Sequence, residues 1–369
     1  MIGELSLTAG EKRKKAIGVS NVTIDLTAGF EASQAVFHLY NVYDYENATF
    51  NFDTVKEFVL LGSPVKIYAG YDVTVTEVFE GVITKVGFYV EEDDVASIQV
   101  TAMDIKSVMM SNRYNRRLQS TAYSDAVKEI FDQNIYQSLQ EKGAFNGLSI
   151  DSTPDKSAAP MNPPAKKDID KTIEMVGESD YEFVVKIAKK FNYDFFVVAG
   201  KVYFRMAKSD LTSQITITPD VNIKRLTVEY DMTGLVEQVE VRGLDVGKAK
   251  QVSGKKKNSN KLSQGNKAKA LISGSKFVYI DPTVSDNSEA GYRADYLYEN
   301  ISYRYGTLEL DIAGIPDILP GKYLKLSDIG TAASNDFYVQ SVRHTFNAEG
   351  AFLTHIVGKT DRQISGGLL

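Results

Sequence analysis

Three histidines, His38, His344 and His355, are the only imidazoles available for acid–base or metal chemistry. His344 and His355 flank the sequence NAEG, so the two strands of one hairpin could present them as diagonal neighbours on a shared face, the beginning of a zinc site. No acidic residue of that hairpin stands at ligand spacing to complete it, and the absence of cysteine excludes thiolate ligands, disulfides and a cysteine nucleophile. A structural role is expected for both. Carboxylates are plentiful, but a cluster such as Glu91 to Asp94 falls where a hairpin turn belongs, not where a glycosidase holds its acid and nucleophile. No Gly-rich phosphate loop, Gly-x-Ser-x-Gly elbow or His-Glu-x-x-His helix is present. The sequence therefore predicts no enzyme, metal or cofactor.

The densest chemistry is cationic. Lys248, Lys250, Lys255, Lys256, Lys257, Lys261, Lys267 and Lys269 fall within residues 248–270, with no acidic residue and almost no large apolar side chain among them. Such a segment buries too little surface to offset its ordering entropy, and a flexible basic loop is expected. It could attract nucleic acid, an anionic surface or an acidic partner in a salt-sensitive way; the lack of interleaved aromatic residues favours a solubilising loop. The net charge of −6 argues against nucleic-acid binding by the surface as a whole.

The elements around these residues read mainly as strands. The chain of 369 residues suits two or three domains. Its aromatic residues, 21 Tyr and 18 Phe with no Trp, favour half-buried strands. From Val22 to Ala102 short runs such as FHLYNV, VKIYAG and SIQVTA alternate with Gly, Asp, Asn and Pro, the pattern of an antiparallel sheet or barrel. Ala126, Val127, Ile130, Phe131 and Asn134 then fall at helical spacing behind Ser124, which is expected to cap that helix. A proline-rich connector spans residues 152–170. Ser179 and Glu182 have the spacing of a capping box, and Asn192 suits a left-handed helix end. YDFFVV and KVYF, separated by Ala-Gly, read as a hairpin. Further strands follow from IKRLTVEYD onward, with a helix over residues 286–304. No apolar run of about 18 residues appears, so neither membrane insertion nor a signal peptide is expected, and folding in the cytoplasm is.

One internal similarity stands out. Pro64, Lys66, Val86, Val100 and Asp104 align, with one gap, on Pro320, Lys322, Val342, Val357 and Asp361. This suggests two copies of one β domain in a single chain.

Three blocks carry a resemblance. NRRLQSTAYSDAVKEIF, SDYEFVVKIAKKFNYDFFVVAGKVYF and GIPDILPGKYLKLSDIGTAASNDFYVQSVRHTFNAEGAFLTHIVG occur in the order found in the late control protein D family, the baseplate hubs of contractile phage tails, and the similarity covers most of the chain from about Pro64. The resemblance implies a mainly β fold with α+β insertions: two tube-like antiparallel β-barrel domains, at 1–115 and 221–369, flanking a smaller α/β domain at 116–220. It also implies a homotrimer with a pseudo-six-fold ring, related to the hub part of type VI secretion spikes and to the hubs of tailocins and other injection particles. Expected partners are further copies of itself, an inner tube protein, baseplate wedge proteins and a tape-measure protein. The chain stops at TDRQISGGLL with no needle of its own, so a separate spike protein is expected as well. A hub of a non-contractile tail and a tail-associated cell-wall hydrolase are the alternatives.

Overall fold

The structure, a computed structural model, describes residues 3–9, 18–71, 74–92, 94–155, 173–220, 222–257, 265–347 and 351–363. Most of the proline-rich connector expected at 152–170 lies outside the described residues.

The first antiparallel run consists of β1 (Gly3–Ala9), β2 (Gly18–Thr27), β3 (Gln34–Tyr40), a small hairpin of β4 (Tyr43–Asp44) and β5 (Thr49–Phe50), helix α1 (Phe52–Val59), then β6 (Pro64–Tyr71), β7 (Thr74–Tyr89) and β8 (Ser97–Met103). Its main strands lie in the order β1-β6-β7-β8-β3-β2. Side chains alternate across each strand, so on β3 Ala35, Phe37 and Leu39 are sealed while His38 stays on the outer face.

An α/β unit follows: α2 (Lys106–Met109), β9 (Tyr114–Arg117), α3 (Tyr123–Phe131), α4 (Asn134–Glu141), β10 (Gly147–Ile150), β11 (Glu174–Glu178), α5 (Asp180–Phe191), β12 (Tyr193–Val198) and β13 (Lys201–Met206). α5 starts where its capping box predicts, with Ser179 Oγ accepting from Glu182 N at 3.2 Å and Glu182 Oε2 accepting from Ser179 N at 2.9 Å. Asn192 ends it at φ 59, ψ 57. Ala199 (φ 45) and Gly200 (φ 71) then supply the two left-handed residues that a tight hairpin turn needs. Ser124 departs from expectation. α3 begins two residues earlier than a Ser124 cap would set, with Ala122 at its cap, and Ser124 is buried in the first turn where its N–H donates to Thr153 Oγ1 at 2.8 Å. Asn134 begins α4 rather than extending α3.

The rest comprises β14 (Ser213–Ile217), β15 (Ile223–Tyr230), β16 (Gln238–Asp245), β17 (Lys250–Lys257), α6 (Gly265–Ile272), β18 (Lys276–Ile280), α7 (Asn287–Ser302), β19 (Gly306–Ala313), β20 (Tyr323–Leu326), β21 (Asn335–Phe346) and β22 (Phe352–Thr360). β17, β16 and β18 make a separate three-stranded sheet under α7. The flexible basic loop expected at 248–270 is corrected here, because residues 250–257 form β17 and residues 265–272 form α6. The physical reason is that Val252 reaches the core beneath α7, while Gly254 lets the α7 backbone approach so closely that a Cβ there would lie 2.1 Å from Gly291 N.

The remaining strands repeat the first run. Their order is β14-β20-β21-β22-β19-β15, matching β1-β6-β7-β8-β3-β2 strand for strand; the one change of sense is that β14 runs parallel to β20. Val86 and Val342 occupy equivalent rows, but Val100 corresponds to Ile356, one residue from the Val357 expected, since Val86 opposes Val100 and Val342 opposes Ile356. The runs join within one 12-stranded sheet where β2 pairs antiparallel with β21. At that joint Val22, Ile24 and Leu26 oppose Phe346, His344 and Val342, all 4% exposed or less, so one apolar core passes through it.

Candidate interaction surfaces

Part of the basic segment is paired with carboxylates in place. Lys248 lies 3.2 Å from Asp245, Lys256 2.9 Å from Asp295 of α7, and Lys255 and Lys257 each 3.9 Å from Glu240 and Glu237. Lys250 sits opposite Asp245 in the ladder. Lys269 is on α6; Lys261 and the side chain of Lys267 fall outside the described residues. Alternation explains the arrangement: Lys256 shares the helix-facing side of the sheet with Val239, whereas Lys255 and Lys257 flank Glu240 on the other side. Four of the eight lysines are therefore met by carboxylates on neighbouring elements.

The histidines do not converge. β21 and β22 pair His344 with Thr354 and Arg343 with His355, an offset of one residue that sends the two rings to opposite faces. The shared face expected for them is corrected accordingly. His344 is fully buried, 3.0 Å from Thr354 Oγ1, and burial pushes its pKa down to about 4. His355 pairs with Asp311 at 2.5 Å. His38 sits on β3, 3.1 Å from Gln99 Nε2. Among the described residues no group of three or more His, Cys, Asp or Glu side chains is placed to hold a metal ion.

The charges that do converge lie where the units meet. Glu80, inside the apolar run VFEGVI of β7, is buried with Oε1 3.0 Å from Lys66 Nζ, and its Oε2 accepts from Asn146 Nδ2 at 3.0 Å. Burial, reinforced by Glu77 against the pull of Lys66, pushes its pKa up to about 7. The turn at Gly200 rests on this carboxyl so closely that a Cβ would come within 1.9 Å of Oε2. Lys106 is also fully buried, donating to the carbonyls of Gly29 (3.0 Å) and Glu31 (2.7 Å) with Nζ 5.2 Å from the Phe195 ring centre. Burial, opposed by Asp104 and Glu31, pushes its pKa down to about 8. Both residues clamp the first sheet to the α/β unit.

A cavity of about 540 Å³ lies between the β2–β3 connection, the start of β12, α7 and β21. At its wall Lys208 donates to Glu299 at 2.6 Å and lies over the rings of Tyr303 and Tyr338, and Tyr338 donates to Asp194 at 2.9 Å. Burial works against the Lys208 ammonium, but Asp194 and Glu299 outweigh it and hold its pKa above the ordinary value. This lysine stays charged and is already partnered; the arrangement holds charge in place and offers no free base.

These junction residues were missed in the sequence. A charged residue interrupting an apolar strand, as Glu80 does, was the available signal.

A third feature is a pair of open edges. The sheet order ends at β15, whose outer edge has no partner among the described residues. On β7, β6 occupies the edge only as far as Val82, and Ser63 extends this to Ile83. Beyond it Phe88, Tyr89 and Val90 are 49%, 39% and 53% exposed.

A family model described as the Alg8 N-terminal domain matches residues 5–144 and 170–348. No curated protein matches the chain. Among solved structures, a tail protein from Neisseria meningitidis MC58 superposes with a TM-score of 0.66 at 13% identity, covering 98% of this chain and 97% of that one. The 43 kDa tail protein of prophage MuSo2 from Shewanella oneidensis also reaches 0.66, at 11% identity over 96% and 98%. An Escherichia coli component of the type VI secretion system reaches 0.56 at 10% identity, over 95% of this chain and 76% of that one. The fold is thus shared with phage tail proteins over nearly its whole length.

Proposed function

The chain belongs to the Alg8 N-terminal domain family, and from the fold it shares with tail proteins we propose that it is the structural hub of a contractile injection particle. In this reading three copies form a ring, each contributing two tube-like units, so that six similar units face a hexameric inner tube while the three-fold assembly receives a separate spike. The α/β unit braces neighbouring subunits, and baseplate wedge proteins and a tape-measure protein complete the contacts. The hub assembles in the bacterial cytoplasm and leaves with the particle. Its work is carried by extensive obligate interfaces, and no step needs a catalytic group.

The observation that carries this reading is the repeated strand order joined at β2 and β21. Two equivalent units side by side in one sheet are what a three-fold protein needs to meet a six-fold one. The shared fold with tail proteins supports the same setting. Light scattering on the purified chain, alone and mixed with a candidate spike protein, is the test. A trimer is expected in at least one sample; a monomer in both refutes the hub.

A further inference from the structure

The internal joint gives a template for the joint between copies. β2 is the last strand of the first run and docks on β21 beyond the end of β20, where residues 341–346 would otherwise be open. β15 is the equivalent last strand of the second run, and its outer edge is free among the described residues. The equivalent of β21 is β7, which is likewise open beyond the end of β6. We infer that β15 of one copy pairs antiparallel with the carboxy-terminal half of β7 of a second copy, repeating the β2–β21 joint; this rests on the hub reading and names its interface.

The register follows from the existing ladders. Val22 and Leu226 occupy equivalent rows, as do Val342 and Val86. Transferring the pairs Val22 with Phe346, Ile24 with His344 and Leu26 with Val342 places Leu226 opposite Val90, Val228 opposite Phe88 and Tyr230 opposite Val86. Within the chain the corresponding side chains are almost fully buried, whereas Phe88 and Val90 are about half exposed and Leu226 and Val228 only partly covered. The new pairs are apolar on the core face, as the template requires.

Charge is complementary just past the last template pair. Continued beyond the end of β7 at Tyr89 and past the irregularity of β15 at Lys224, the same direction brings Lys224 and Arg225 toward Glu92 and Glu91, Arg225 also lying 3.3 Å from Glu309 of its own chain. All four side chains are exposed, and among the described residues neither Glu91 nor Glu92 has a basic partner. A head-to-tail contact of this kind uses different patches on the two copies and closes only as a ring.

The test compares full-length wild type, Glu91→Lys/Glu92→Lys, Lys224→Glu/Arg225→Glu and the fourfold combination by mass photometry and sedimentation, with circular dichroism as the folding control. Each reversal alone should weaken assembly by about tenfold or more, and the combination should recover most of the loss. The chain has no cysteine of its own, so Thr227→Cys with Tyr89→Cys should cross-link copies on oxidation. Thr227→Cys with Lys85→Cys, four residues out of register, should not. Oligomers that ignore both reversals and give no cross-link overturn the joint and leave the hub standing. A wild-type chain that stays monomeric at every concentration, both alone and mixed with the candidate spike protein, overturns the hub and the joint together.

Discussion

Replacing Glu80 with glutamine removes the one proton-binding group on which the hairpin turn rests, at nearly constant shape. In the folded chain that carboxyl is pushed up to about 7 from an ordinary 4.5, chiefly by burial. The folded state therefore holds the proton more tightly than the unfolded one. The stability this contributes is fully present below pH 4.5 and is lost as pH rises through about 7. At about 1.4 kcal/mol per pH unit, ionising Glu80 in place costs on the order of 3 kcal/mol. Glu80→Gln carries no such cost, so the stability of wild type minus that of the variant should fall by roughly this amount between pH 4.5 and 8.5. Urea unfolding of both proteins across that range measures it, with hydrogen exchange at Phe195 to Tyr203 showing whether the hairpin responds first. A difference flat to within about 0.5 kcal/mol, well under the expected cost, or one that grows with pH, would falsify the reasoning.

Lys106→Met should show the opposite trend, because a buried ammonium pushed down to about 8 is costly only while it is charged. Wild-type stability relative to the variant should rise between pH 8 and 10.5, by up to about 3 kcal/mol in denaturant titrations. Gly200→Ala combines a left-handed backbone at φ +71 with a clash against Glu80, whereas Gly234→Ala at φ +77 meets no atom within 4 Å. Thermal melts should show a clear loss for Gly200→Ala beyond the roughly 1–2 kcal/mol of backbone cost that both share; equal losses would remove Gly200 from the junction. Ser179→Ala should cost about 1 kcal/mol in urea unfolding by opening the capping box of α5.

Features set by neighbours in the chain were legible in advance. The capping box at Ser179, the left-handed Asn192 and the Ala199–Gly200 turn each depend on a few adjacent residues, and all appear as read. Features set by distant partners were not. The lysine-rich segment looks unstructured because its carboxylates, Glu237, Glu240 and Asp295, stand on other elements, and because the parallel strand β18 that completes its sheet comes later in the chain. Whether His344 and His355 share a face turned on a single residue of register, which spacing alone does not specify. The repeat was visible in scattered identities. Its meaning depended on which strand edges are filled and which are left open.

The union of β2 with β21 also sets a timetable for synthesis. Asp25 and Arg343, paired across that joint, are 318 residues apart. At elongation rates of about 5–20 residues per second, the β2 edge emerges roughly 15–60 s before its partner exists. During that interval an apolar strand edge stands ready to accept any strand of suitable pattern, including one from a neighbouring nascent chain. A strand translated late thus covers the edge of one translated early. A chain interrupted before β21 would leave the ribosome with that edge uncovered.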